Sequence, residues 1–536
     1  MVSAPMLAVF AAVTVVYILG LIIYRLYFHP LASFPGPKLA SVTTLYEFYY
    51  DGIKPGKYMF KIKELHDKYG PIIRITPEEL HCNDPCFIDS IYAGGSVRRH
   101  KYNYSIGQIG LPESALGTLN HDIHRIRRAP LSRFFSKASV TKLEPTIYKQ
   151  VEKLCKQLLV HVDSQKPIRL DMAFGSFTTD VILTYAFGKC NNILDDPLFE
   201  NNLHEVFHAL DHIIKIFKQL PFIYDLLRSI PDSLAVMLAP QAKDFLQYQE
   251  ECSNAPFYIA TASTNTQQDV KILIRDTKRQ IVKEKSTGPQ QDMHASIFHE
   301  ILKSDLSDAE KAAERLWQEG QAVIGAGTET VSWTLSVLFF YLLRDHKVYN
   351  LLMKELETAI PDPAAQALWK ELEKLPYLSA CISEALRVSC GICTRLPRIS
   401  PDEPIVYHPA AEAGVSKSEY IIPPGTPIGM SAALVHYDTT LFPRPNVFDP
   451  NRWLDADGQR DRSLEKYILS FSKGSRQCLG INMAYAELYI AAAHVLRRVG
   501  PHMKLYETGP DDVEIHHDYF APRPKLDSKG VRVVVE

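Results

Sequence analysis

The sequence predicts a mainly α-helical protein with small β-sheets, preceded by one N-terminal transmembrane helix. Three observations lead to this prediction: an uncharged apolar run at the N-terminus, long segments whose apolar residues follow a helical period, and short alternating stretches bounded by proline and glycine. The chain has 536 residues but no internal repeat and no low-complexity tract. We therefore expect one large domain after the N-terminal helix.

The N-terminal run is long enough to span a bilayer. The first 24 residues carry no charged side chain, and a helix from Met6 to Tyr24 would be roughly 28 Å long. Basic residues begin only at Arg25, which favours a retained anchor over a cleaved signal peptide and leaves the rest of the chain in the cytosol. We predict an anchor at 1–30 and a folded domain at 31–536. A buried core helix is the alternative interpretation of the run.

The remaining elements are predicted from periodicity and from helix-breaking residues. Pro35 and Pro37 cannot continue a helix, so they predict a stiff break after the anchor. Helices are predicted over 142–162, 178–188 and 309–343, and strand-like pieces over 71–82 and 419–432, where Pro-Gly marks a turn.

Composition excludes some classes of function. Lys plus Arg is 59 and Asp plus Glu is 61, so the net charge is −2, without the basic excess typical of nucleic-acid binding. Hydrophobic residues make up 46% of the chain, as in globular proteins. The nine cysteines are scattered and odd in number, which predicts reduced thiols in a reducing compartment.

Two short motifs suggest metal or redox chemistry without the expected context. HEVFH, His204 to His208, matches the zinc-peptidase pattern with Glu205 as the base, but no third ligand follows at the expected spacing. A polar helix face is the simpler interpretation. CGIC, Cys390 to Cys393, resembles a redox dithiol but lacks a thioredoxin-like strand and helix, so we interpret it as structural.

The long predicted helix contains AGTET, Ala326 to Thr330. Glycine costs roughly 1 kcal/mol in a helix interior, so Gly325 and Gly327 predict a local opening beside the acid and the hydroxyl of Glu329 and Thr330. A glycine kink needed only for packing is the alternative.

A buried ion pair is predicted further along the chain. Glu384 and Arg387 are three residues apart, so they share a face of a largely apolar helix. A buried pair needs additional partners to offset its desolvation, and Arg452 in FDPNRW is a candidate. We expect this group to be structural.

The stretch FSKGSRQCLG, Phe471 to Gly480, holds one cysteine between two glycines ahead of an apolar helical segment. It is either a cysteine in a turn or a ligand for a group outside the chain. Taken in order, these motifs resemble the cytochrome P450 family of haem-thiolate monooxygenases. FSKGSRQCLG matches the family's F-x-x-G-x-R-x-C-x-G loop, EALR its E-x-x-R pair, and PNRW its P-x-R-F piece with Trp453 in place of Phe. The N-terminal segment and 121–136 resemble fungal members of the trichodiene oxygenase and pisatin demethylase types.

The resemblance implies that Cys478 is the axial thiolate ligand of haem, iron protoporphyrin IX. Thiolate donation favours O–O cleavage. The following helix presents its positive end to the sulfur, which would stabilise the thiolate. Gly474 would allow a tight turn, Gly480 would let backbone approach the sulfur, and Phe471 would shield the proximal side from water.

The resemblance also implies partners for the haem propionates: Arg476, Arg398, and the pair His124 and Arg128, which stand at the family's W-x-x-x-R positions with His for Trp. On the oxygen side, Thr330 would hydrogen-bond the oxygen being activated and Glu329 would help to relay protons. Ala326 and Gly327 would leave room above the iron.

Function follows from the resemblance as an expectation. Because no flavin or nicotinamide motif is evident, electrons would come from NADPH–cytochrome P450 reductase at the endoplasmic reticulum membrane, steered by Lys473, Arg125 and Arg127. The reaction would insert one oxygen atom of O₂ into an apolar small molecule, by hydroxylation or epoxidation, with a fungal terpenoid as the leading substrate. The segments expected to line the substrate pocket, 106–116, 207–222, 323–326 and 392–396, are mainly apolar.

Three alternatives remain open. The chain could be a P450-type isomerase or dehydratase without net oxygenation, a zinc peptidase that uses HEVFH, or a catalytically inactive haem-binding protein. Metal analysis separates haem iron from zinc, and NADPH-dependent oxygen consumption separates an active enzyme from an inactive one.

Overall fold

A computed structural model describes residues 4–409 and 419–536, apart from 107, 108, 163, 165, 189 and most of 201–295, where only 211, 215, 218, 219, 274–279 and 281 are described. The longer helices are α1 (Ala4–Ile23), α2 (Tyr58–Tyr69), α3 (His121–Phe134), α4 (Glu144–Leu159), α5 (Leu170–Phe187), α6 (Ile297–Lys303), α7 (Ala313–Arg344), α8 (His346–Ala359), α9 (Pro376–Ser389) and α10 (Ile481–Arg498). Short helices occupy Lys38–Val42, Leu45–Phe48, Ile88–Ile91, Asn103–Ile106, Lys137–Thr141, Trp369–Leu372 and Ala432–His436. The predicted helices therefore exist, with α5 beginning earlier than expected.

The strands are short and form small sheets. They are β1 (Ile72–Arg74), β2 (Leu80–Cys82), β3 (His100–Lys101), β4 (Ile168–Arg169), β5 (Arg398–Ile399), β6 (Ile405–Tyr407), β7 (Tyr420–Ile422), β8 (Pro427–Gly429), β9 (Met503–Leu505), β10 (His517–Tyr519), β11 (Ala521–Arg523) and β12 (Arg532–Val535). The main sheet has the order β1-β2-β8-β5-β3, a second has the order β4-β12-β9, and β6-β7 and β10-β11 form separate pairs. The predicted mainly helical architecture with small sheets is confirmed.

The N-terminal helix α1 stands apart from the rest of the chain. The segment Pro5–Phe28 is long and apolar enough to cross a membrane, and none of it is buried. By contrast α7 passes the same length and composition test but is mostly buried, so it is the central core helix. Directly after α1, Arg25 Nη1 donates to the Val42 carbonyl at 2.6 Å, and Arg74 Nη1 donates to the Arg25 carbonyl at 2.8 Å. These two hydrogen bonds fasten the end of the apolar helix to the folded domain.

The prolines after the anchor do more than break the helix. The Pro35 carbonyl accepts a hydrogen bond from the Arg74 amide at 2.7 Å. Between the two prolines, Gly36 lies so close to β1 that a Cβ would stand 2.4 Å from the Arg74 carbonyl oxygen. The predicted break therefore packs along the edge of the main sheet.

Helix α7 packs most extensively against α5. Thr178 Oγ1 donates to the Thr328 carbonyl at 2.8 Å, and Thr179 Oγ1 donates to Thr328 Oγ1 at 3.1 Å. A Cβ on Gly327 would stand 2.8 Å from the Ile182 side chain. Gly327 thus allows close contact between the two helices, and α7 runs without interruption from Ala313 to Arg344. The local opening expected from the glycines is not seen, because helix packing uses the space at Gly327.

Candidate active site

The cysteine loop is held by backbone contacts with Tyr92 and Ala93, which directly follow the short helix Ile88–Ile91. Gly474 has φ +70°, and a Cβ there would stand 2.1 Å from the Tyr92 carbonyl oxygen, so only glycine fits without displacing the backbone. The Ser475 amide donates to the Ala93 carbonyl at 3.2 Å, and the Cys478 amide donates to the Phe471 carbonyl at 2.8 Å. These contacts close the tight turn that presents Cys478.

The Cys478 thiol combines an exposed side chain with a raised pKa. It is exposed, yet burial raises the pKa of its thiol, and this effect is opposed by the Gly480 amide and by the positive charge of Arg128. The two observations agree if the exposed sulfur surface faces an internal cavity and not bulk solvent. The amide and the guanidinium both favour the thiolate, which is the form that binds a metal.

A helix N-terminus and an open space lie beside the sulfur. Helix α10 begins at Ile481, directly after Gly480, so its N-terminus lies next to the thiol. A Cβ on Gly480 would meet no atom within 4 Å, so Gly480 borders open space. The Gly480 amide approaches the sulfur, as expected. The Cα of Gly480 faces open space, so this approach does not require the small size of glycine. Phe471 packs on Tyr485 with ring centroids 5.2 Å apart.

The middle of α7 exposes a narrow strip of small residues. Ala326 is exposed and Gly325 and Thr330 are half-buried, although the helix around them is buried. Thr330 Oγ1 donates to the Ala326 carbonyl at 2.9 Å. Gly327 was expected to leave room on this side, but its Cα faces Ile182. The strip therefore consists of Ala326 and Thr330.

Glu329 does not share this strip. Its side chain is buried, and Oε2 accepts a hydrogen bond from Arg523 Nη1 at 3.1 Å. Arg523 belongs to β11, near the C-terminus, and is not among the residues predicted for the site. An ion pair between residues so far apart leaves no local sequence signal.

Five cationic or basic side chains lie close enough together to lower one another's pKa. Four were expected from the sequence, His124, Arg128, Arg398 and Arg476, and the fifth is Lys101. Among the described residues, no carboxylate forms an ion pair with any of them. Burial and the charges of Arg476, Lys101 and Arg128 lower the pKa of His124 to about 2. Burial and the neighbouring arginines also lower the pKa of Arg476 to about 9 and place that of Lys101 well below its usual range.

The hydrogen bonds of the cluster leave donors available. Arg476 donates to the carbonyls of Thr118, Leu119 and Asn120 at 2.6, 2.8 and 3.0 Å, but its buried Nε has no partner in the described part of the chain. Arg398 donates mainly to the neighbouring carbonyls of Leu396 and Pro397. Buried cations without anions are costly, so the arrangement suits a ligand that brings carboxylates. Haem, with two propionates, fits both this cluster and the exposed thiol.

Lys101 is the member of the cation cluster that was not predicted from the sequence. It lies in β3, where the register places it opposite Arg398 of β5. Its Nζ donates to the Leu116 carbonyl. The two cations are about 300 residues apart in sequence and are brought together by strand pairing. The only local signal for a strand at Lys101 is the alternation of side-chain types in residues 99–102, RHKY.

Comparison with known proteins agrees with this geometry. The sequence profile of the cytochrome P450 family matches residues 44–512. The chain belongs to the cytochrome P450 family. It is 39% identical over 537 residues to a cytochrome P450 monooxygenase, sdnE, of Sordaria araneosa, with 100% of this chain and 99% of the relative covered.

Two further fungal relatives are similar over nearly their full length. The chain is 38% identical to the conidiogenone synthase PchP450 of Penicillium rubens, with 97% of each chain covered. It is also 38% identical to the tryptophan 6-hydroxylase fscE of Fusarium equiseti, with 99% of this chain and 97% of the relative covered. The protein is thus an oxidoreductase of the P450 monooxygenase type, and its relatives are P450 monooxygenases of fungal secondary metabolism.

The P450 has the predicted buried ion pair. Arg387 donates from Nε and Nη2 to the two oxygens of Glu384 at 2.9 and 2.7 Å, and from Nη1 to the His436 carbonyl at 2.8 Å. Arg452 Nε and Trp453 Nε1 donate to the same carboxylate at 3.1 and 2.9 Å. The additional partners expected from desolvation are therefore present.

One of the expected surface cations of the P450 is buried. Arg127 is 9% exposed and forms ion pairs with Glu113 and Glu310 at 3.1 and 2.7 Å. The prediction that it steers a redox partner is wrong, because α3 turns it towards the interior. Arg125 is exposed, and Lys473 reaches Asp89 at 3.2 Å.

Of the two remaining motifs, only CGIC lies within the described residues, and it has no part in this site. HEVFH lies outside the described residues. Cys390 and Cys393 are fully buried, and burial raises the pKa of both thiols. Cys390 Sγ lies 3.4 Å from His436 Nδ1, and Cys393 Sγ lies 3.6 Å from Asp518 Oδ1. Such protonated, inaccessible thiols are unreactive.

Proposed function

We propose that this P450 binds haem through Cys478 and inserts one oxygen atom of O₂ into an apolar small molecule, by hydroxylation or epoxidation. The observation that supports the proposal is the pairing of an exposed thiol, Cys478, with a buried or half-buried group of cations that has no anionic partner among the described residues. Haem would supply the redox chemistry, and the cysteine thiolate would tune it towards O–O cleavage.

The residues around the site would each have a defined task. Cys478 would be held as thiolate by the Gly480 amide and by Arg128. Lys101, Arg398 and Arg476 would pair with the propionates, and His124 would donate a hydrogen bond to one of them. The negative charge of the propionates would then compensate the positive charge of these cations.

On the oxygen side, Thr330 would hold a proton close to the reacting oxygen. Its hydroxyl now donates within its own helix, to the Ala326 carbonyl. A rotation about χ1 would redirect the hydroxyl towards the exposed strip. Ala326, with its small side chain, would leave space for O₂ and substrate.

We infer an apolar substrate, with a fungal terpenoid as the leading class. Val323 and Ile324 of α7 are buried apolar residues next to the exposed strip, and Ile392 and Leu396 belong to the other segment expected to line the pocket. The relatives differ in what their names say they act on or make, since one is a conidiogenone synthase and another is a tryptophan 6-hydroxylase. A substrate test therefore includes terpenoids and indoles.

Electrons would come from NADPH–cytochrome P450 reductase. Arg125 and Lys473 are the remaining basic candidates for its docking surface. Ile123 and Ile126 of α3 are 44% and 54% exposed beside Arg125, so the proposed surface combines charge with apolar area. Reversing the charge at Arg125 should slow reductase-supported turnover and weaken its salt dependence. Reversal at Arg127 is not a test, because Arg127 is itself buried and would lose its ion pairs with Glu113 and Glu310.

We propose that residues 1–30 anchor the protein in the endoplasmic reticulum membrane in a single pass, with residues 31–536 as the cytosolic monooxygenase domain. The exposed apolar helix α1 and Arg25 directly after it support this orientation. Protease treatment of sealed microsomes tests it, since a cytosolic domain would be digested without detergent.

The full chain can be tested in vesicles with the reductase. Iron and haem content are measured first, followed by incubation with NADPH, isotopically labelled O₂ and a library of terpenoids and indoles. The expected product gains one labelled oxygen atom by mass spectrometry, and Cys478→Ser gives none. A haem-free protein would overturn the proposal. A product without labelled oxygen would indicate isomerisation or dehydration.

A further inference from the structure

A compact loop, residues 111–120, leads into α3. Ser114 Oγ donates to the Leu111 carbonyl at 2.8 Å, and the Gly117 amide donates to Ser114 Oγ at 3.0 Å. A Cβ on Gly117 would stand 2.0 Å from the Leu111 carbonyl oxygen, so the loop folds tightly onto itself. The 111–120 loop is therefore a closed unit, and its position depends on the contacts that hold it from outside.

The carbonyls of this loop hold two members of the cation cluster. Arg476 donates to the carbonyls of three consecutive residues, 118–120, at 2.6, 2.8 and 3.0 Å. Lys101 Nζ donates to the Leu116 carbonyl. The loop thus sets the directions in which both cationic side chains point.

On another side, the loop is bound to α7 through its backbone amides. The Ala115 amide donates to Glu319 Oε2 at 3.0 Å, and the Glu113 amide donates to Gln318 Oε1 at 2.8 Å. Glu319 is 2% exposed, and Arg315 Nη2 donates to the same Oε2 at 3.0 Å. A buried carboxylate held by a guanidinium has little freedom to turn, so Glu319 gives the loop a fixed point of attachment.

Ion pairs connect this attachment to α3. Arg127 Nη1 donates to Thr118 Oγ1 at 2.9 Å and to the Glu113 carbonyl at 3.1 Å. Arg127 and Arg315 share the carboxylate of Glu310 at 2.7 and 2.8 Å. The loop is therefore held between α3 and α7 by one continuous network of charged groups.

Glu319 lies on the same face of α7 as the exposed strip. It precedes Ala326 by 7 residues and Thr330 by 11 residues, and both intervals are close to a whole number of turns at about 3.6 residues per turn. The helix face that presents the strip therefore also holds the loop that orients the cations.

We propose that Glu319, assisted by Gln318, is a positioning residue for haem: it holds the 111–120 loop, whose carbonyls aim Arg476 and Lys101 at the propionates. The inference rests on the proposed function, because it assumes haem bound at Cys478. Glu319 acts through the loop and not by contact with the cofactor. Without its carboxylate the Ala115 amide loses a buried acceptor, the loop shifts, and the cations lose the geometry that charge-assisted hydrogen bonds require.

The rate of haem transfer from the haem-loaded full chain to an acceptor apoprotein tests the inference. Glu319→Ala should release haem on the order of tenfold faster, as expected from loss of one hydrogen bond to a charged group. Glu319→Gln keeps an oxygen acceptor for the Ala115 amide and should stay closer to the wild-type rate. Gln318→Ala removes the acceptor of the Glu113 amide and should give a smaller increase. It carries the test if Glu319→Ala does not fold, and release at the wild-type rate would then overturn the inference.

Glu355→Ala is the matched control. Glu355 accepts hydrogen bonds from the amides of Tyr377 and Leu378 at 2.9 and 2.8 Å, at the start of α9, so its removal also deprives backbone amides of a carboxylate. Its thermal midpoint should fall while its haem release stays at the wild-type rate. Equal acceleration in Glu355→Ala and Glu319→Ala would show a general loss of stability and would contradict a positioning role.

A double-variant cycle with Arg476→Met separates positioning from a purely structural effect. Because Arg476→Met removes one of the two cations that the loop aims, Glu319→Ala should accelerate haem release less in this background than in the wild type. Two accelerations that simply multiply would overturn the inference. A wild type that binds no haem would instead overturn the proposed function, whereas equal release from haem-loaded wild type and Glu319→Ala would overturn only the role of Glu319.

Discussion

Trp453 Nε1 donates a hydrogen bond to Glu384 Oε2 at 2.9 Å, and both side chains are buried. The P450 motif has phenylalanine at this position, which has no donor. In this chain the tryptophan adds a neutral donor to a carboxylate that already pairs with Arg387 and Arg452. The substitution thus extends the structural ion-pair network beneath the cysteine loop.

Trp453→Phe should lower stability without changing the haem ligand. The variant loses a hydrogen bond to a charged group, which contributes about 1.5–3 kcal/mol. We expect a lower temperature for loss of the carbon monoxide band at unchanged band position. Trp317→Phe is the control, because its Nε1 bonds the exposed Glu314 at 3.0 Å. Equal effects of both substitutions would show that the Glu384 contact contributes nothing.

Cys478→Ser should abolish the thiolate signature, the far-shifted Soret band of the ferrous carbon monoxide adduct. A serine hydroxyl remains protonated and cannot donate charge in the same way. Cys86→Ser is the matched control, since Cys86 is also an exposed free cysteine. The ligand assignment fails if the shifted band survives in the Cys478 variant.

Thr330→Ala should uncouple electron use from product formation and release more peroxide, because the hydroxyl next to the exposed strip is lost. Thr330→Ser, which keeps a hydroxyl, should restore most of the coupling. Thr334→Ala removes the same type of hydrogen bond one turn later, from Thr334 to the Thr330 carbonyl. Coupling in Thr330→Ala equal to that of the wild type would remove this residue from the mechanism.

Lys101→Met should weaken haem retention. Loss of one charge-assisted hydrogen bond costs about 1.5 kcal/mol, which is on the order of tenfold in affinity. The measurement is the rate of haem transfer to an acceptor apoprotein, and Lys370→Met at an exposed position is the control. Transfer at the wild-type rate would place Lys101 outside the propionate cluster.

Glu487→Gln should stabilise the protein at neutral pH. Burial raises the pKa of Glu487 well above its ordinary value of 4.5, and its Oε1 has no hydrogen-bond partner in the described chain. Below pH 4.5 both folded and unfolded states hold the proton, so there is no penalty. Above it only the unfolded chain releases the proton, so stability falls as pH rises towards the folded pKa.

The comparison is the thermal midpoint of haem loss at about pH 5 and about pH 8. The difference between Glu487→Gln and wild type should grow with pH, whereas the exposed Glu371→Gln should show no such trend. If the thermal midpoints of Glu487→Gln and wild type differ by the same amount at both pH values, Glu487 ionises in the folded protein as it does in the unfolded chain.

The sequence by itself determined the local structure and the ligand loop. Helices α4 and α7 begin and end within a few residues of their predicted bounds, because helical periodicity is a property of neighbouring residues. The Cys478 loop is contiguous, so its identity could be recognised without knowing the fold. The pair Glu384 and Arg387 was predictable for the same reason, since the two residues share one helix face.

Only the tertiary structure decided which distant side chains meet. Lys101 joins the cation cluster through strand pairing with Arg398, and Arg523 reaches Glu329 from 194 residues away. Packing also turned Arg127 inwards and assigned Gly327 to a helix contact. Such partners depend on how elements stack and on which face each helix buries, and a local pattern of residues does not contain that information.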